Sequence, residues 1–236
     1  MIKAAAYSGT RNLYADMIPA VKSLLANSSV DRVHLLIEDD QFPYWLPDCV
    51  SVRNVSGQTY FPPDGANTNC PWTYMVLMKV ALAQEFPEYD RILSLDVDTI
   101  VEKNIDGIWG TDLDGYYLAA VHDTGRPNDP EYYNGGVMYL NLEQLRHDGM
   151  DLALIDALNR RKFPFCEQEA ISELCRGHIQ RLPGDYNASA WTEPTLNPLI
   201  HHYAAVRDWS KEWRVKAWRD LPWADVLKRR EHGNKG

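Results

Sequence analysis

The sequence predicts an α/β fold with a mixed central sheet flanked by helices. In the first hundred residues, short apolar runs alternate with a segment of helical periodicity. One apolar run ends in two carboxylates, and further strands and helices follow in the second half. A strand, helix, strand order implies parallel strands joined by right-handed crossovers. A chain of 236 residues suits one large α/β domain.

Apolar periodicity and turn residues give the elements of the first half. The predicted strands, in order, are KAAAY (3–7), RVHLLIEDD (32–40) and VSVRNV (50–55). The predicted helices are residues 13–27 and residues 73–86, the second ending before Pro87. Residues 56–72 are rich in Gly, Pro and Asn and predict a long loop, and loops of that length are often functional.

The second half predicts three further strands and two helices. The strands are LAAVHD (118–123), VMYLNL (137–142) and PLIHHY (198–203), and the helices are residues 144–161 and 167–177. NGG, at Asn134 to Gly136, contains Asn-Gly, which is a strong local signal for a hairpin turn. We therefore expect a turn just before the strand 137–142.

The segment RILSLDVDTIV, from Arg91 to Val101, indicates a metal site. It reads as an apolar strand that ends in two carboxylates, Asp96 and Asp98. Side chains two apart in a strand face the same way, so both would meet at the carboxyl end of the strand, where open α/β sheets bind ligands. Two close anions repel each other, and a divalent cation relieves the repulsion. An Asp-Val-Asp also occurs in ordinary turns, so the assignment depends on the rest of the chain.

Composition excludes several classes of protein. An apolar fraction of 45% argues against disorder, and no apolar run reaches the roughly 20 residues of a membrane-spanning helix. A net charge of −9 argues against nucleic acid as a partner. The four cysteines form no Cys-x-x-Cys pair, and the first residues lack the apolar stretch of a signal peptide. We therefore expect a cytoplasmic protein.

Residues 207–236 form a basic, Trp-rich tail. The tail holds nine Lys or Arg against five Asp or Glu, and four of the eight Trp of the chain. Trp interleaved with basic residues suits a peripheral contact with anionic lipid at the inner face of a membrane. An ordinary amphipathic helix that packs its Trp on the domain is the alternative, and the sequence leaves both open.

Four segments in order resemble the motifs of a known family. They are KVALAQEFPEYDRILSLDVDTIVEKNIDGIW, YYNGGVMYLNLEQLR, FCEQEAISEL and IHHYAAVRDW. Together they resemble the glycogenin and lipopolysaccharide galactosyltransferase family, family eight of the retaining glycosyltransferases. The resemblance implies a GT-A type nucleotide-diphospho-sugar transferase fold over residues 1–206. The nucleotide-binding half would cover about residues 1–100 and the acceptor half about 101–206, followed by the tail.

The resemblance implies that Asp96, Asp98 and a late histidine bind a manganese or magnesium ion that holds the diphosphate of a UDP-sugar. Carboxylate oxygens with one imidazole suit these cations better than zinc or copper. His202 matches the family by its His-Tyr dipeptide and by its place four residues after Pro198, whereas His201 better matches the spacing to the residues that follow. Adjacent strand residues face opposite ways, and we expect His202 to be the ligand.

The same resemblance implies contacts with the donor sugar. Lys79, seventeen residues before Asp96, matches a basic residue that lies against the donor. The alternative is a surface lysine on an amphipathic helix. Asn134 and Gly135 would line the sugar. Glu167 would bind its hydroxyls, and Gln168 would lie beneath the anomeric carbon as the catalytic residue.

At the amino end, Tyr7, Ser8 and Tyr14 match the segment that binds uridine. Tyr14 would stack on the uracil, and a core position on the first helix is the alternative.

The implied function is metal-dependent transfer of galactose or glucose from a UDP-sugar, with retention, to a hydroxyl of a carbohydrate, lipid-linked or protein acceptor. Gln168 is a poor nucleophile, which favours front-face substitution. The alternatives are a metal-dependent nucleotidyltransferase or sugar-nucleotide hydrolase, whose phosphoryl chemistry uses the same groups, and a catalytically silent carbohydrate-binding relative.

Overall fold

A computed structural model describes residues 1–233 and confirms the predicted α/β architecture, so the last three residues of the predicted tail lie outside the described part. The strands are β1 (Ala4–Ser8), β2 (Arg32–Ile37), β3 (Val50–Asn54), β4 (Arg91–Leu95), β5 (Thr99–Val101), β6 (Leu118–His122), β7 (Tyr133–Asn141), β8 (Ile179–Leu182) and β9 (Ile200–His202). The helices are α1 (Tyr14–Ala26), α2 (Met78–Glu85), α3 (Leu142–His147), α4 (Met150–Arg160), α5 (Cys166–Leu174), α6 (Trp213–Asp220) and α7 (Trp223–Gly233).

Seven strands form a mixed central sheet in the order β3-β2-β1-β4-β7-β6-β8. The strands β3, β2, β1 and β4 run parallel to their neighbours, as the strand, helix, strand order predicts. Strand β7 is antiparallel to both β4 and β6, and β8 is parallel to β6. A separate pair of antiparallel strands, β5 and β9, extends the chain beyond the end of β4. The parallel and antiparallel halves therefore meet at β4 and β7.

Two apolar layers cover the faces of this sheet. Alternate residues of β1 belong to different layers, with Ala4 and Ala6 in one and Ala5 and Tyr7 in the other. Helices α2, α4 and α5 pack on the first face, whereas α1, α6 and α7 pack together on the second. Because β1 is buried on both faces, its sequence is a continuous apolar run.

One predicted helix is two helices in the structure. The segment 144–161 divides into α3 and α4 around Gly149, whose φ of 67° lies in the left-handed region. A left-handed residue cannot continue a right-handed helix, and glycine adopts this conformation without steric cost.

The turn predicted at NGG is wrong, because Asn134, Gly135 and Gly136 lie within strand β7. The Asn-Gly signal describes a local preference, and pairing of β7 with β4 and β6 overrides it. Strand β8 had no counterpart among the predicted strands. It has only four residues and lies at the edge of the sheet, where two of them are not buried.

The tail packs on the domain, as one of the two interpretations predicts. Val215 of α6 and Val226 of α7 are fully buried, and Arg219 donates to the Asp16 carboxylate of α1 at 2.8 Å. The buried Lys22 ammonium donates to the carbonyls of Arg219 and Leu221, at 2.8 and 2.6 Å, and so caps the C-terminal end of α6. The membrane contact stays a prediction. Across residues 1–233, no helix combines the length and the apolar character that a bilayer span requires.

We expect Lys22→Met to lower the free energy of unfolding by about 1–3 kcal/mol, because two carbonyls at the end of α6 lose their buried donor. Urea denaturation followed by circular dichroism measures this change. The control is Lys211→Met, which removes an exposed pair with Asp208 and should change the free energy by less than about 1 kcal/mol. Equal effects of the two substitutions would show that the cap does not hold the tail in place.

Candidate active site

Asp96 and Asp98 lie in the turn between β4 and β5, and not within a strand as predicted. The Asp96 amide donates to the Gly136 carbonyl at 2.9 Å, which extends the pairing of β4 with β7 by one residue. The Thr99 amide then donates back to the Asp96 carbonyl at 3.2 Å and closes the turn. The two carboxylates therefore converge because the chain turns between them, and not because strand side chains alternate.

The pairing of β5 with β9 brings His202 to these carboxylates. Thr99 lies opposite His202, and the Tyr203 amide donates to the Asp98 carbonyl at 3.0 Å. His202 Nε2 lies 3.3 Å from Asp98 Oδ1 and 3.7 Å from Asp96 Oδ2. The adjacent His201 packs instead against the Tyr203 ring, at a centroid distance of 5.3 Å.

The three groups could hold a divalent cation. Asp96, Asp98 and His202 each offer one ligand atom, and these atoms all lie within 4.8 Å of one another. Two carboxylates and one imidazole form a donor set that suits manganese or magnesium. His202 Nδ1 lies 2.8 Å from Asn187 Oδ1, which can only accept a proton from it, so the hydrogen bond leaves Nε2 free for an ion. No sequence pattern points to Asn187.

The imidazole of His202 lies directly over Gly136. A Cβ atom at position 136 would overlap the ring, so only glycine fits there. Gly135 differs, because a Cβ there would lie at ordinary contact distances, 3.5 Å from Gln168 Cβ. Gly136 thus permits the approach of β9 to β7.

Protonation of the site follows from burial and charge. Burial alone would lower the pKa of the His202 imidazole, but the Asp98 and Asp96 carboxylates raise its pKa above the ordinary value. Burial likewise would raise the pKa of Asp98, and the nearby His202 lowers it below the usual range. A proton and a bound metal ion would therefore compete for His202 Nε2.

Lys79 lies at the centre of the site. It is only 5% exposed, so the alternative of a surface lysine is wrong. Its Nζ atom lies 2.6 Å from Asp96 Oδ1, 3.0 Å from Glu167 Oε1 and 3.1 Å from the Gly135 carbonyl. One buried ammonium therefore connects α2 to the turn after β4, to β7 and to α5.

The charges of this cluster are coupled. Burial favours the neutral amine and lowers the pKa of Lys79, but the Asp96 and Glu167 carboxylates outweigh burial and leave the pKa above its usual range. Burial raises the pKa of Glu167, and the Lys79 ammonium partly offsets this. We conclude that Lys79 is a cation here and neutralises part of the charge of the two acids.

Gln168 is fixed at both ends of its amide. Its Oε1 accepts from the Gly135 amide at 2.9 Å, and its Nε2 donates to Asp123 Oδ2 at 3.2 Å and to the Tyr132 hydroxyl at 3.1 Å. These three partners determine which side of the amide is oxygen and which is nitrogen. Gln168 is therefore held rigidly beside Gly135 and Lys79.

A buried hydrogen-bond network joins Gln168 to His202. Asn134 Nδ2 donates to Asp123 Oδ2 at 3.0 Å, and Asn134 Oδ1 accepts from the Gly136 amide at 3.0 Å and from Asn187 Nδ2 at 2.8 Å. Asn187 in turn contacts His202. Asp123 is a residue that the sequence reasoning missed. It follows the strand β6 directly, which is the same signal that singled out Asp96.

Of the residues predicted to bind uridine, Tyr7 and Ser8 lie at the carboxyl end of β1, beside the end of β4, and Tyr14 begins α1. Tyr7 is buried, and Ser8 Oγ donates to the Met75 carbonyl at 3.0 Å. Tyr14 is 3% exposed, packs against Phe42 and donates to Asp39 Oδ2 at 2.8 Å. The structure therefore gives the Tyr14 ring no exposed face, and stacking on a base would require its neighbours to move.

A cavity of about 310 Å³ opens beside His202. It is lined by residues 188–190, 193–195, 198, 201–204 and 206. The neighbouring Ala205 has a φ of 63°, in the left-handed region that non-glycine residues seldom adopt. The chain thus turns back sharply after β9, and His202 is the one of the three candidate ligands that lines this cavity.

We expect Gly136→Ala to lower the free energy of unfolding by about 1–3 kcal/mol, because the new methyl group overpacks the His202 ring. It should also weaken manganese binding, since the ring is displaced from Asp98. Urea denaturation and a manganese titration followed by electron paramagnetic resonance measure the two effects. Gly135→Ala, with ordinary contacts, is the matched control for stability. If the two variants were equally stable, the close approach of His202 would not be a constraint.

Comparison with solved structures identifies the fold. Glycosyltransferase GlyE of Streptococcus pneumoniae superposes with a TM-score of 0.75 at 17% identity, covering 98% of this chain and 64% of that one. The galactosyltransferase LgtC, solved with donor and acceptor sugar analogs, superposes with a TM-score of 0.68 at 17% identity, covering 96% and 99%. These similarities confirm a GT-A fold.

Sequence relatives agree with this fold. Glycosyltransferase GlyA of Streptococcus pneumoniae is 29% identical over 164 residues, which cover 64% of this chain and 23% of that protein. A lipopolysaccharide 1,2-glucosyltransferase of Escherichia coli is 28% identical over 177 residues, covering 58% and 51%. The matched regions span only about a quarter to a half of the length of these relatives.

The family model described as glycosyl transferase family 8 matches residues 17–220, which is most of the chain and extends through α6. The resemblance seen in the ordered motifs is thereby confirmed, and the chain belongs to glycosyl transferase family 8.

Proposed function

We propose that this chain transfers a hexosyl group, galactose or glucose, from a UDP-sugar to an acceptor hydroxyl with retention of configuration. A manganese or magnesium ion would bind at Asp96, Asp98 and His202. The observation that carries the proposal is the convergence of these three ligand atoms within 4.8 Å, next to a buried ammonium. A site of this kind binds a diphosphate, because the cation and Lys79 both attract its negative charge.

Charge neutralisation at the leaving group is the main chemical task. Glycosyl transfer passes through an oxocarbenium-like state while the diphosphate gains negative charge. When bound, the cation supplies Lewis-acid stabilisation of that charge. Lys79 contributes a second positive charge, and Glu167 and Asp96 hold its ammonium in place before the donor binds.

Gln168 would lie beneath the anomeric carbon, with Asn134, Gly135 and Glu167 around the sugar. An amide oxygen is a weak nucleophile, and that of Gln168 already accepts from the Gly135 amide. The nearby carboxylates are also engaged, Glu167 by Lys79 and Asp123 by Asn134 and Gln168. These contacts support front-face substitution, in which the departing phosphate oxygen takes the proton of the acceptor hydroxyl.

Uridine would bind at the carboxyl end of β1, through the backbone at Tyr7 and Ser8 and the vicinity of Tyr14. The pairing of Tyr7 with Leu95 supports this placement, because it brings the end of β1 next to the turn that holds Asp96. The base and the diphosphate would then lie along one edge of the sheet, as ligands do in open α/β folds.

Asp98→Asn should reduce kcat/KM for transfer by about a hundredfold or more, because an amide replaces a charged metal ligand. Asp98 tests the metal site better than Asp96, whose substitution would also remove a partner of Lys79. The measurement is release of UDP and glycoside from UDP-sugars with manganese and after treatment with EDTA. Asp208→Asn, at an exposed position, is the control.

The products distinguish the alternatives. Free UDP together with a new glycoside supports transfer. A sugar phosphate or a new nucleotide sugar would instead identify a hydrolase or nucleotidyltransferase, and tight UDP-sugar binding without turnover would identify a binding protein. Full activity in EDTA would contradict the metal site.

Gln168→Ala should lower kcat up to about a hundredfold while leaving the donor Kd nearly unchanged, because the loss falls on positioning at the reacting carbon. Stopped assays at saturating donor and calorimetric titration with the UDP-sugar in the absence of acceptor measure the two quantities. Gln144→Ala, which removes a hydrogen bond from α3 to the following Asp148, is the control. An unchanged kcat would remove Gln168 from the mechanism.

A further inference from the structure

Two large aromatic side chains lie exposed near the candidate site. Trp72, at the end of the long loop after β3, is 48% exposed, and Phe165, directly before α5, is 45% exposed. Their ring centroids lie 6.1 Å apart. We call this pair the aromatic platform. Burial of two such rings against a ligand would be favourable. A pair of exposed aromatic rings therefore indicates a binding site.

The aromatic platform is connected to Gln168. The Phe165 ring packs edge-on against the Tyr132 ring at a centroid distance of 6.4 Å. Tyr132 is buried, and its hydroxyl lies 3.1 Å from the Gln168 amide nitrogen. A row of rings therefore runs from the residue placed beneath the anomeric carbon outward to the protein surface.

Charged groups hold Phe165, one of the two rings of the platform, in position. The Arg126 guanidinium lies 4.5 Å over the Tyr132 ring and 5.2 Å over the Phe165 ring, and it forms a 2.8 Å ion pair with Glu169. The other oxygen of Glu169 accepts from the Phe165 amide at 3.1 Å. Phe165, Tyr132 and their polar frame are thus preorganised, which lowers the entropic cost of binding.

At the start of α5, a change in backbone direction places one side chain at the surface and the next ones inside the protein. Cys166 has a φ of 45° and is fully buried, directly after the exposed Phe165. The next two residues, Glu167 and Gln168, contact Lys79 and Gly135 in the site. One sharp change of chain direction therefore places Phe165 at the surface and the donor-side residues inside.

Aromatic ring faces beside charged side chains form a surface that suits a carbohydrate. A pyranose ring has an apolar face of C–H groups that can cover an aromatic ring and hydroxyls at its rim that hydrogen-bond to groups such as Arg126 and Glu169. An acyl chain would gain nothing from the ion pair beside the rings and would desolvate it at a cost. The chemistry of the platform therefore favours sugar over lipid.

We propose that Trp72 and Phe165 stack against a sugar ring of a carbohydrate acceptor that is at least two residues long. Tyr132 lies between Gln168 and the platform, so the stacked ring is not the ring whose hydroxyl reacts. The reactive ring lies at Gln168, and the next ring rests on the platform. The inference rests on the proposed function, since it takes Gln168 as the place of transfer.

The test measures saccharide binding to the full chain saturated with manganese and UDP, by isothermal titration calorimetry. The probes are lactose, cellobiose and maltose, with methyl glucoside as the single-ring comparison. At least one disaccharide should bind more tightly than methyl glucoside. Trp72→Ala and Phe165→Ala should each raise its Kd about tenfold, whereas Trp72→Phe should keep most of the affinity because it retains a ring.

Trp213→Ala is the matched control. Trp213 is a more exposed tryptophan on α6, at the opposite face of the sheet, and its removal should leave the Kd unchanged. Thermal melts check that each variant is folded, and the two alanine variants test the platform independently of each other.

Three results would overturn the inference. One is equal disaccharide affinity in the wild type and both alanine variants. The second is no saccharide binding by a wild-type chain that binds UDP with manganese, which would leave the proposed function standing. The third is saturable binding of a peptide or of lipid vesicles at the platform in place of sugar. If the wild-type chain bound no UDP at all, the proposed function and this inference would fail together.

Discussion

The candidate site depends on the burial of the Lys79 ammonium between two carboxylates. A buried charge is costly unless it is paired, and Asp96 and Glu167 supply the pairing from two different elements. Removal of one partner from such a pair typically costs about 3–5 kcal/mol, because the remaining charge is then uncompensated. The pair therefore constrains the packing of α2 and α5 at the end of β4, and this packing brings Gln168 and Gly135 together.

A second constraint keeps the three candidate metal ligands in register. His202 is held from one side by the β5 pairing and from the other by Asn187, and it can approach only because position 136 has no side chain. Asn187 also donates a hydrogen bond to Asn134, and Asn134 donates one to the Asp123 carboxylate. Gln168 donates a further hydrogen bond to the same carboxylate. Every polar side chain in this series has a partner, so the network is rigid and couples the geometry of the candidate metal ligands to that of Gln168. The two ends of the proposed reaction, the leaving diphosphate and the anomeric carbon, are thus positioned by one connected structure.

Much of the fold was predictable because its strands are buried and its helices are amphipathic. Strand β1 reads as a continuous apolar run since both of its faces are covered, and the crossover through α1 fixes the parallel pairing with β2. The failures occurred where a local preference competed with long-range pairing or with one special residue. Asn-Gly at residues 134 and 135 was absorbed into β7, and Gly149 divided a segment whose apolar periodicity is otherwise helical.

The sequence by itself determined the α/β class, the pair of carboxylates after β4, the family motifs and their order. These features depend on residues that are close together in the chain. The periodicity of apolar residues and the spacing of motifs therefore reveal them without a structure. Only the tertiary structure decided that His202 and not His201 faces the carboxylates, that Lys79 is a buried counterion, and that Asn187 and Asp123 join the site. It also placed Trp72 beside Phe165, far from it in the chain. Such contacts join segments many residues apart, and they exist only because the packed sheet brings those segments to one edge.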